Sequence, residues 1–463
     1  MPTLRILLLI SAAGMVVAST ISDPIVSDVA LAPLILVTVI LAIANLSADL
    51  VPPRRRLDVW CSALTIAAPF PFLVLGQPWG PRAAAVALAA LQLVPLAAGR
   101  GRARQPVAGP RRLLAALVIS TALLLVAVVA LVWYGATYLL PAPAGAFARN
   151  PYLIRLTTTE AAFAWQTTSG QPVRLTLRTP AGGSLAAVRG RFANLRPATR
   201  YEWTAEVNGL SAAAGAFRTA PTSTADPIRL VTFGDYGSGN SHEYAVGRLA
   251  AAADPSMFLS GGDNAYLLAA PPFLDRAIFD PLHQLLGEAV TVVALGEHDL
   301  AWRDGAAVIS ALHLPGHHYT AQSGPVQIVV LGLQADTSAS RYAAATLGRC
   351  AAPCPVRFVL VHRPVAADNP IMPLLRRRHV AAILAAHLHR YERHRRAGIL
   401  QFTVGTGGEG PGSTAFTRPT ADAIVSLQAY GFLEIDVHGS TIAYRFVDDR
   451  GRTRDAVRER IPS

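Results

Sequence analysis

The stretch Ile228-Arg-Leu-Val-Thr-Phe-Gly-Asp-Tyr-Gly237 joins an apolar, β-type run to a Gly-Asp turn. The pattern returns further along, where 257–259 leads to Gly262-Asp263-Asn-Ala-Tyr266 and 290–295 leads to Gly296-Glu297-His298-Asp299. Two later apolar runs lead to His362 and to the pair His387 and His389. Helical-looking stretches such as 244–253 separate several of the runs. Strands that alternate with helices and end in polar loops predict an α/β layered fold, with its site at the carboxyl ends of the strands.

The polar residues of these loops are of the types that ligate metal ions in proteins. The candidate ligands are Asp235, Asp263, Tyr266, Glu297, His362, His387 and His389. A mixture of oxygen and nitrogen donors suits two hard or borderline ions. Any one of these histidines alone would more often be an ordinary core or surface residue. The order of all five motifs, however, makes a chance arrangement improbable and predicts a metal centre.

The five motifs resemble those of the purple acid phosphatases, a family of the calcineurin-like metallophosphoesterase superfamily. That family has Gly-Asp-x-Gly, Gly-Asp-x-x-Tyr, Gly-Asn-His-Glu/Asp, Val-x-x-His and Gly-His-x-His in this order. Plant-type members continue with Tyr-Glu-Arg, as this chain does in His389-Arg-Tyr391-Glu392-Arg393. The resemblance covers residues 150–463. It implies a layered metallophosphoesterase β-sandwich flanked by helices.

The resemblance also implies a set of roles for the candidate residues. A first metal takes Asp235, Asp263, Tyr266 and His389, and a second takes Asp263, Glu297, His362 and His387, so that Asp263 bridges. A phenolate at Tyr266 implies Fe(III) paired with a divalent ion, which is Fe, Zn or Mn; the alternative is that Tyr266 only packs in the core. The implied activity is hydrolysis of phosphomonoesters through a metal-bridging hydroxide, with His298 as proton donor.

Other functions stay open on the same motifs. A phosphodiesterase or nucleotidase would use the same ligands, since specificity resides in the surrounding loops. A non-catalytic protein that binds metal or phosphate is a further alternative, favoured only by a departure from the family pattern. This departure is Glu297, which stands where the family has Asn and adds a negative charge. Ala386 replaces the family's Gly and predicts a small shift of the His387 backbone.

The first part of the chain has a different composition. Hydrophobic residues make up 52% of the sequence and charged residues only 15%, and the apolar excess lies before residue 140. Five transmembrane helices are predicted within 1–140, at 4–22, 29–47, 58–76, 82–99 and 113–135. Arginines cluster at 54–56 and 100–112, so the positive-inside rule predicts a cytoplasmic N-terminus and an extracytoplasmic catalytic domain. The protein would then be multi-pass in the cell membrane, with the lipid bilayer as a partner, although residues 1–20 also resemble a signal peptide.

Between these parts, residues 148–221 predict short alternating strands without chemistry of their own. Asn208-Gly209 indicates a hairpin turn. The run Leu195-Arg-Pro-Ala-Thr-Arg-Tyr201 resembles the tyrosine corner of a fibronectin type III sandwich, and Trp165, Tyr201 and Trp203 are expected in its core. The predicted fold class is therefore multi-domain: a helical membrane region, an all-β sandwich, and the catalytic domain at 227–463.

Two further observations limit the partners and the chemistry. The formal net charge is +12, but no Arg run interleaved with aromatic residues is present in the catalytic part, so nucleic-acid binding is not expected. Cys350 and Cys354 are too few for a zinc site. They predict a small disulfide that staples a loop.

Overall fold

In the computed structural model, residues 145–168, 170–266, 269–410 and 418–462 can be described, and most of them lie in or between β-strands. All belong to one compact unit, Pro141–Ser463. The first seven strands are β1 Phe147–Leu156, β2 Ala161–Thr167, β3 Val173–Arg178, β4 Ser184–Ala186, β5 Arg191–Phe192, β6 Arg200–Val207 and β7 Leu210–Arg218. They form two antiparallel sheets in the orders β1-β2-β5 and β4-β3-β6-β7.

Local signals in this sandwich are where the sequence placed them. Residues of β6 alternate between exposed and buried, and Tyr201 and Trp203 are both 3% exposed. Asn208 and Gly209 have φ of 54° and 77°, as a two-residue hairpin turn requires. The Tyr201 hydroxyl accepts a hydrogen bond from the Arg196 N–H at 2.8 Å, the contact expected of a tyrosine corner. Trp165, in contrast, is only partly buried.

The remaining strands form two larger sheets. The strands are β8 Ile228–Phe233, β9 Met257–Ser260, β10 Val290–Val293, β11 Tyr319–Ser323, β12 Val326–Val330, β13 Val356–Leu360, β14 Ala382–Ala385, β15 Tyr391–Arg396, β16 Ile399–Val404, β17 Val425–Leu427, β18 Gly431–His438, β19 Thr441–Asp448 and β20 Thr453–Arg460. One sheet has the order β10-β9-β8-β18-β19-β20, and the other has β11-β12-β13-β14-β16-β15-β17.

Both sheets are mixed. Strands β8, β9 and β10 are parallel neighbours, as are β12, β13, β14 and β16. The antiparallel pairings involve β18, β19 and β20 in one sheet and β11, β15 and β17 in the other. The two antiparallel strands predicted near the end of the chain are β18 and β19. The sheets pack face to face through aromatic rings: Tyr444 of β19 lies 4.7 Å from Phe402 of β16, and Phe446 lies 4.2 Å from Tyr391 of β15, centroid to centroid.

Short helices cover the sheets. They are α1 Ser241–Ala252, α2 Pro271–Leu274 continued by a π-helical turn Asp275–Phe279, α3 His283–Glu288, α4 Glu297–Leu300, a 3₁₀ turn Arg303–Gly305, α5 Ala306–Ala311, α6 Thr337–Thr346 and α7 Met372–Arg377. Helices α6 and α7 pack on the outer face of β12–β14 in one buried apolar cluster. Helix α1 begins where the Asn240 side chain accepts from two backbone N–H groups, which is why it starts before the expected 244.

Two side chains of the first sandwich reach the larger part of the unit. The Trp203 indole N–H donates to the Gly287 carbonyl at 2.9 Å, and the Tyr152 hydroxyl donates to the Ala311 carbonyl at 2.7 Å. Cys350 and Cys354 form the expected disulfide, with their Cα atoms 6.2 Å apart. The division of this unit into 148–221 and 227–463 stays a prediction.

The expected α-helical transmembrane region is corrected by the structure. The longest helix in the described ranges, α1, has 12 residues, about 18 Å at 1.5 Å per residue, whereas a bilayer core is about 30 Å thick. No helix among the described residues is long and apolar enough to cross a membrane. The described fold is mostly β-sheet with few helices. The predicted multi-pass location in the cell membrane is corrected by the same finding. The five predicted spans lie outside the described residues.

Candidate metal centre

The candidate ligands lie just after parallel strands of the two large sheets. They are Asp235 after β8, Asp263 after β9, Glu297 after β10, His362 after β13, and His387 after β14. Carboxyl ends of parallel neighbours lie at the same edge of a sheet, and the face-to-face packing brings the two edges together. The expectation that these loops meet at one rim is therefore met by the geometry.

Several of these residues have a costly backbone conformation. Asp235, Asp263 and His387 have φ of 53°, 52° and 71°, the left-handed region that non-glycine residues seldom adopt. Such strain persists only where the surrounding structure enforces it, and it concentrates at functional sites. Gly262 has φ of 101°, and a Cβ there would stand 2.6 Å from His362 Nδ1, so only glycine lets this loop approach the histidine.

One group of donors consists of Asp235, Asp263 and His362, all nearly inaccessible to solvent. Asp235 Oδ2 accepts the His387 backbone N–H at 2.7 Å. Asp263 Oδ1 accepts the His298 backbone N–H at 2.9 Å, while its Oδ2 lies 3.6 Å from His362 Nε2. Backbone hydrogen bonds thus hold one oxygen of each carboxylate and leave the other beside the remaining donors.

A second group consists of Glu297, His362 and His387. Glu297 Oε1 lies 2.9 Å from His387 Nδ1, and Glu297 Oε2 lies 2.8 Å from His362 Nε2. Although Oε2 and Nε2 are this close, they lack hydrogen-bond geometry, and both are buried without a hydrogen-bond partner in the described structure. A carboxylate oxygen and an imidazole nitrogen that are both buried, face each other and lack a hydrogen bond have the arrangement of two metal ligands without their cation.

The electrostatics of this group agree with that reading. Burial opposes a charge on His362, but the carboxylates of Asp263 and Glu297 outweigh it and raise the pKa of His362 to about 10. Burial likewise opposes the charge of Glu297, yet His362 and His387 hold the pKa of Glu297 well below its usual range. A proton on the His362 imidazole thus supplies positive charge beside the carboxylates. A metal ion would displace that proton, as metal binding does generally.

The donor set therefore fits metal ions. Each group offers carboxylate oxygens and imidazole nitrogens within 4.8 Å of one another, the mixture that zinc, iron and manganese accept. His362 is the residue that the two groups share. Asp263 Oδ2 lies 3.6 Å from His362 Nε2, and the bridging role of Asp263 stays a prediction.

Tyr266 points into the centre and does not pack away from it. Its hydroxyl donates to Asp235 Oδ1 at 3.2 Å and lies 3.1 Å from His389 Nε2. Burial, with Asp235 and Asp263 nearby, raises the pKa of Tyr266 well above its usual value, so without a metal the phenol is protonated. His389 is oriented by the Gly410 carbonyl, 2.9 Å from its Nδ1. Tyr266, His389 and Asp235 therefore form one contact set, as expected for ligands of the first metal.

His298, the expected proton donor, lies against this set. Its ring centroid is 4.6 Å from that of Tyr266. Burial lowers the pKa of His298, so at any given pH a smaller fraction of this side chain is imidazolium than of an ordinary histidine. The side chain is therefore placed beside the donor groups, and a lower pH favours its acid form.

Two residues of the motifs were not assigned a role from the sequence, and the structure places both behind the ligands. Asp299 is fully buried and accepts the Asn264 N–H at 2.9 Å, the Asn264 Nδ2 at 2.7 Å and the Gly296 N–H at 2.9 Å. Burial raises the pKa of Asp299 to about 6. This pair joins the Asp263 loop to the Glu297 loop. The only local signal for this pair is that Asn264 directly follows Asp263 and Asp299 comes two residues after Glu297.

The departure at Ala386 has a local compensation. Ala386 is completely buried, and a Cβ added at Gly234 or Gly261 would stand 2.6 or 2.7 Å from the Ala386 methyl group. The methyl group therefore occupies space that these two glycines leave open. His387 keeps its hydrogen bond to Asp235, so the substitution does not remove it from the site.

Comparisons with known proteins agree with this architecture at the level of the fold. No family model matches the chain, and no curated protein matches it. The solved structure of PhoD is similar with a TM-score of 0.50 at 9% identity, covering 69% of this chain and 92% of PhoD. GAP50, the anchor in the inner membrane complex of Plasmodium, has a TM-score of 0.43 at 13% identity, covering 51% and 90%.

A third neighbour, Vps29 of Entamoeba histolytica complexed with zinc, has a TM-score of 0.26 at 12% identity, covering 50% of this chain and 99% of Vps29. The scores of GAP50 and Vps29 are too low to support an argument. The similarity to PhoD shows the fold alone, and the described part of this chain has a metallophosphoesterase-type fold.

Proposed function

We propose that this protein is a binuclear-metal phosphatase that hydrolyses phosphomonoesters. One observation supports the proposal most strongly: two groups of metal donors, one buried and one partly exposed, meet on the buried His362 at the strand ends of a metallophosphoesterase-type fold. The Glu297 and His362 atoms that face each other at 2.8 Å without a hydrogen bond are the place where a cation fits.

The residues take the following roles. When bound, the two metal ions supply a water of lowered pKa as nucleophile and screen the charge of the phosphate oxygens. Asp235, Tyr266 and His389 hold the first ion, and Glu297, His362 and His387 hold the second. Asp263 lies between the two groups and is kept in place by the His298 N–H. The His298 imidazolium donates a proton to the leaving oxygen.

The pH dependence follows from the position of His298. Because burial lowers its pKa, the proton-donating form is lost at a lower pH than for an ordinary histidine. We therefore expect monoester hydrolysis to be greatest under acidic conditions and to fall on the alkaline side. His298→Ala should remove that alkaline limb and lower kcat by about a hundredfold to ten-thousandfold, the usual contribution of a positioned proton donor.

The metal identity is testable by elemental analysis together with the visible absorption spectrum. We propose Fe(III) with a divalent ion, because Tyr266 contacts Asp235 and His389 and a phenolate is a good ligand for ferric iron. About two metals per chain, one of them iron, with a tyrosinate-to-iron band would support this centre. Two metals without iron or colour would indicate a manganese or zinc phosphoesterase in which Tyr266 is not a ligand.

The experiment that tests the function replaces the central residues. Asp263→Ala and His362→Ala should each abolish hydrolysis of an aryl phosphate monoester. His438→Ala is a matched control, since His438 is exposed and its Nε2 lies 3.1 Å from the Ala225 carbonyl. Activity retained in either central variant would refute the proposal. Faster hydrolysis of a diester would indicate a phosphodiesterase or nucleotidase, and tight metal binding with no hydrolysis of any ester would indicate a binding protein.

A further inference from the structure

Arg363 stands at the edge of the second donor group, and the sequence motifs assign it no role. It follows His362 at the carboxyl end of β13, where its backbone N–H donates to the Leu333 carbonyl at 2.9 Å. Its Nη2 atom lies 3.3 Å from Glu297 Oε1, and its side chain is 42% exposed. The guanidinium is therefore anchored beside the donors and still reaches solvent, as a group that meets an incoming substrate must.

The partner of Arg363 is shared with the metal donors. Glu297 Oε1, which Arg363 contacts, also lies 2.9 Å from His387 Nδ1. A carboxylate that neutralises a bound cation is a weaker partner for a guanidinium, because its charge is already compensated. Occupation of the second donor group would thus leave Arg363 with a weaker attraction to Glu297 and with its charge available to another anion.

Arg363 also has an unused donor. Its Nε atom is buried and makes no hydrogen bond to any residue that the structure describes. A guanidinium presents its N–H groups in a planar fork that matches two oxygens of a phosphate. Because Nε is buried, the exposed part of the guanidinium is what an incoming phosphate would meet, and Arg363 combines a fixed position beside Glu297 with solvent access at the rim where the phosphate would bind.

We propose that Arg363 binds the non-bridging oxygens of the substrate phosphate and selects doubly charged terminal phosphates over singly charged diesters. This inference rests on the proposed function, since it places the phosphate at the second donor group. The charge balance favours this role, because Glu297 adds a negative charge beside the site and the positive charge of Arg363 offsets it. A dianion gains more from that positive charge than a monoanion does.

The test uses the metal-loaded full-length protein and inorganic phosphate as the probe. Arg363→Gln should weaken phosphate binding, measured by isothermal titration calorimetry, by about tenfold to a hundredfold, the range expected for a lost charge-assisted contact. Monoester kcat/KM should fall by a similar factor, mainly through KM, while diester kcat/KM changes by less than about threefold. Metal content should stay the same.

Arg357→Gln is the matched control. Arg357 lies on β13, six residues before Arg363, and its Nε is likewise buried without a hydrogen-bond partner in the described residues. Six residues of extended chain place it about 20 Å from the rim. This variant should leave phosphate affinity and the monoester-to-diester ratio unchanged.

The same substitution in a Glu297→Asn protein distinguishes phosphate binding by Arg363 from simple neutralisation of Glu297. In Glu297→Asn, the carboxylate that Arg363 contacts is gone, and Arg363→Gln should still weaken phosphate binding. If Arg363→Gln instead lowers metal content and leaves phosphate affinity intact, Arg363 only neutralises Glu297 and the inference is overturned.

The inference and the proposed function fail in distinguishable ways. A wild-type protein that hydrolyses no ester but loses phosphate affinity on Arg363→Gln would refute the phosphatase and leave Arg363 as an anion-binding residue. A wild-type protein that hydrolyses monoesters, with a variant unchanged in phosphate affinity and ester preference, would refute the role of Arg363 alone.

Discussion

Gly296→Ala tests how closely the two ligand loops depend on each other. Gly296 has φ of −95° and ψ of −179°, a conformation that alanine adopts freely, so the backbone itself is not strained by the change. The new Cβ, however, would stand 2.1 Å from Asp263 Oδ1 and 2.5 Å from the Asp263 backbone nitrogen. Since ordinary contacts of a Cβ begin at 3.4 Å, Asp263 has to move away by more than about 1 Å.

Two effects of different size follow from that displacement. Overpacking of a rigid site costs about 1–3 kcal/mol of unfolding free energy, which lowers Tm by a few degrees for a unit of this size. Metal binding suffers more, because ligand distances have to be met within about 0.2 Å. We expect the metal affinity to fall at least about a hundredfold, beyond the usual effect of losing a residue behind a ligand.

The assay combines elemental analysis after dialysis against a metal buffer with thermal unfolding of the metal-free protein. Gly145→Ala serves as control, since a Cβ there would meet only atoms 3.9 Å or more away. A Gly296→Ala protein with full metal content and an unchanged Tm would refute the reasoning, because Asp263 would then not be confined by the Gly296 backbone.

Three further outcomes are expected. Trp203→Phe removes the N–H that donates to the Gly287 carbonyl at 2.9 Å, and it should cost about 1 kcal/mol in denaturant unfolding with metal content unchanged; an equal midpoint would show that this contact is dispensable. Burial opposes the charge of Glu392, but hydrogen bonds from His394, Thr420 and a serine hydroxyl lower its pKa to about 2. Because this value is below the unfolded 4.5, the group stabilises the fold by about 3 kcal/mol above pH 4.5 and loses that contribution as the pH falls toward 2; Glu392→Gln should flatten this acid limb of the unfolding free energy, and an unaltered limb would contradict it. In an iron-loaded protein, Tyr266→Phe should abolish the tyrosinate band while the metals remain, and a persisting band would exclude Tyr266 as a ligand.

The candidate site follows from the sequence to a large degree because its elements are local. Each ligand comes within a few residues of the end of a β-type run, so the strand itself delivers the side chain to the rim. Asn208-Gly209 and the Tyr201 corner are local in the same sense, since each is defined by dihedral angles or contacts within a few residues.

Elements without a local signal were missed. Strand β20, Thr453–Arg460, consists mostly of charged residues, with Ala456 and Val457 as its apolar ones, and has no apolar face of its own. It is a strand because it pairs with β19 along almost its whole length, at the edge of the sheet. Pairing with a neighbour decides such a segment, because its own residues bury too little apolar surface to favour one conformation.

The membrane prediction relied on a local signal alone. It rested on composition and on windows of apolar residues before residue 140, and the described ranges contain no helix that could span a bilayer. Apolar content alone does not distinguish a membrane span from a buried segment of a globular fold.

By itself the sequence determined the kinds of donor, their order and the strands that present them, since these depend on short stretches of chain. Only the tertiary structure decided which donors meet. His362 is shared by both groups, Asp299 ties the Asp263 and Glu297 loops together, and Arg363 reaches Glu297 across 66 positions of sequence. These contacts join residues of two different sheets or of separate loops. Their distances depend on how the sheets pack through rings such as Tyr444 and Phe402. The spacing of the motifs does not predict that packing.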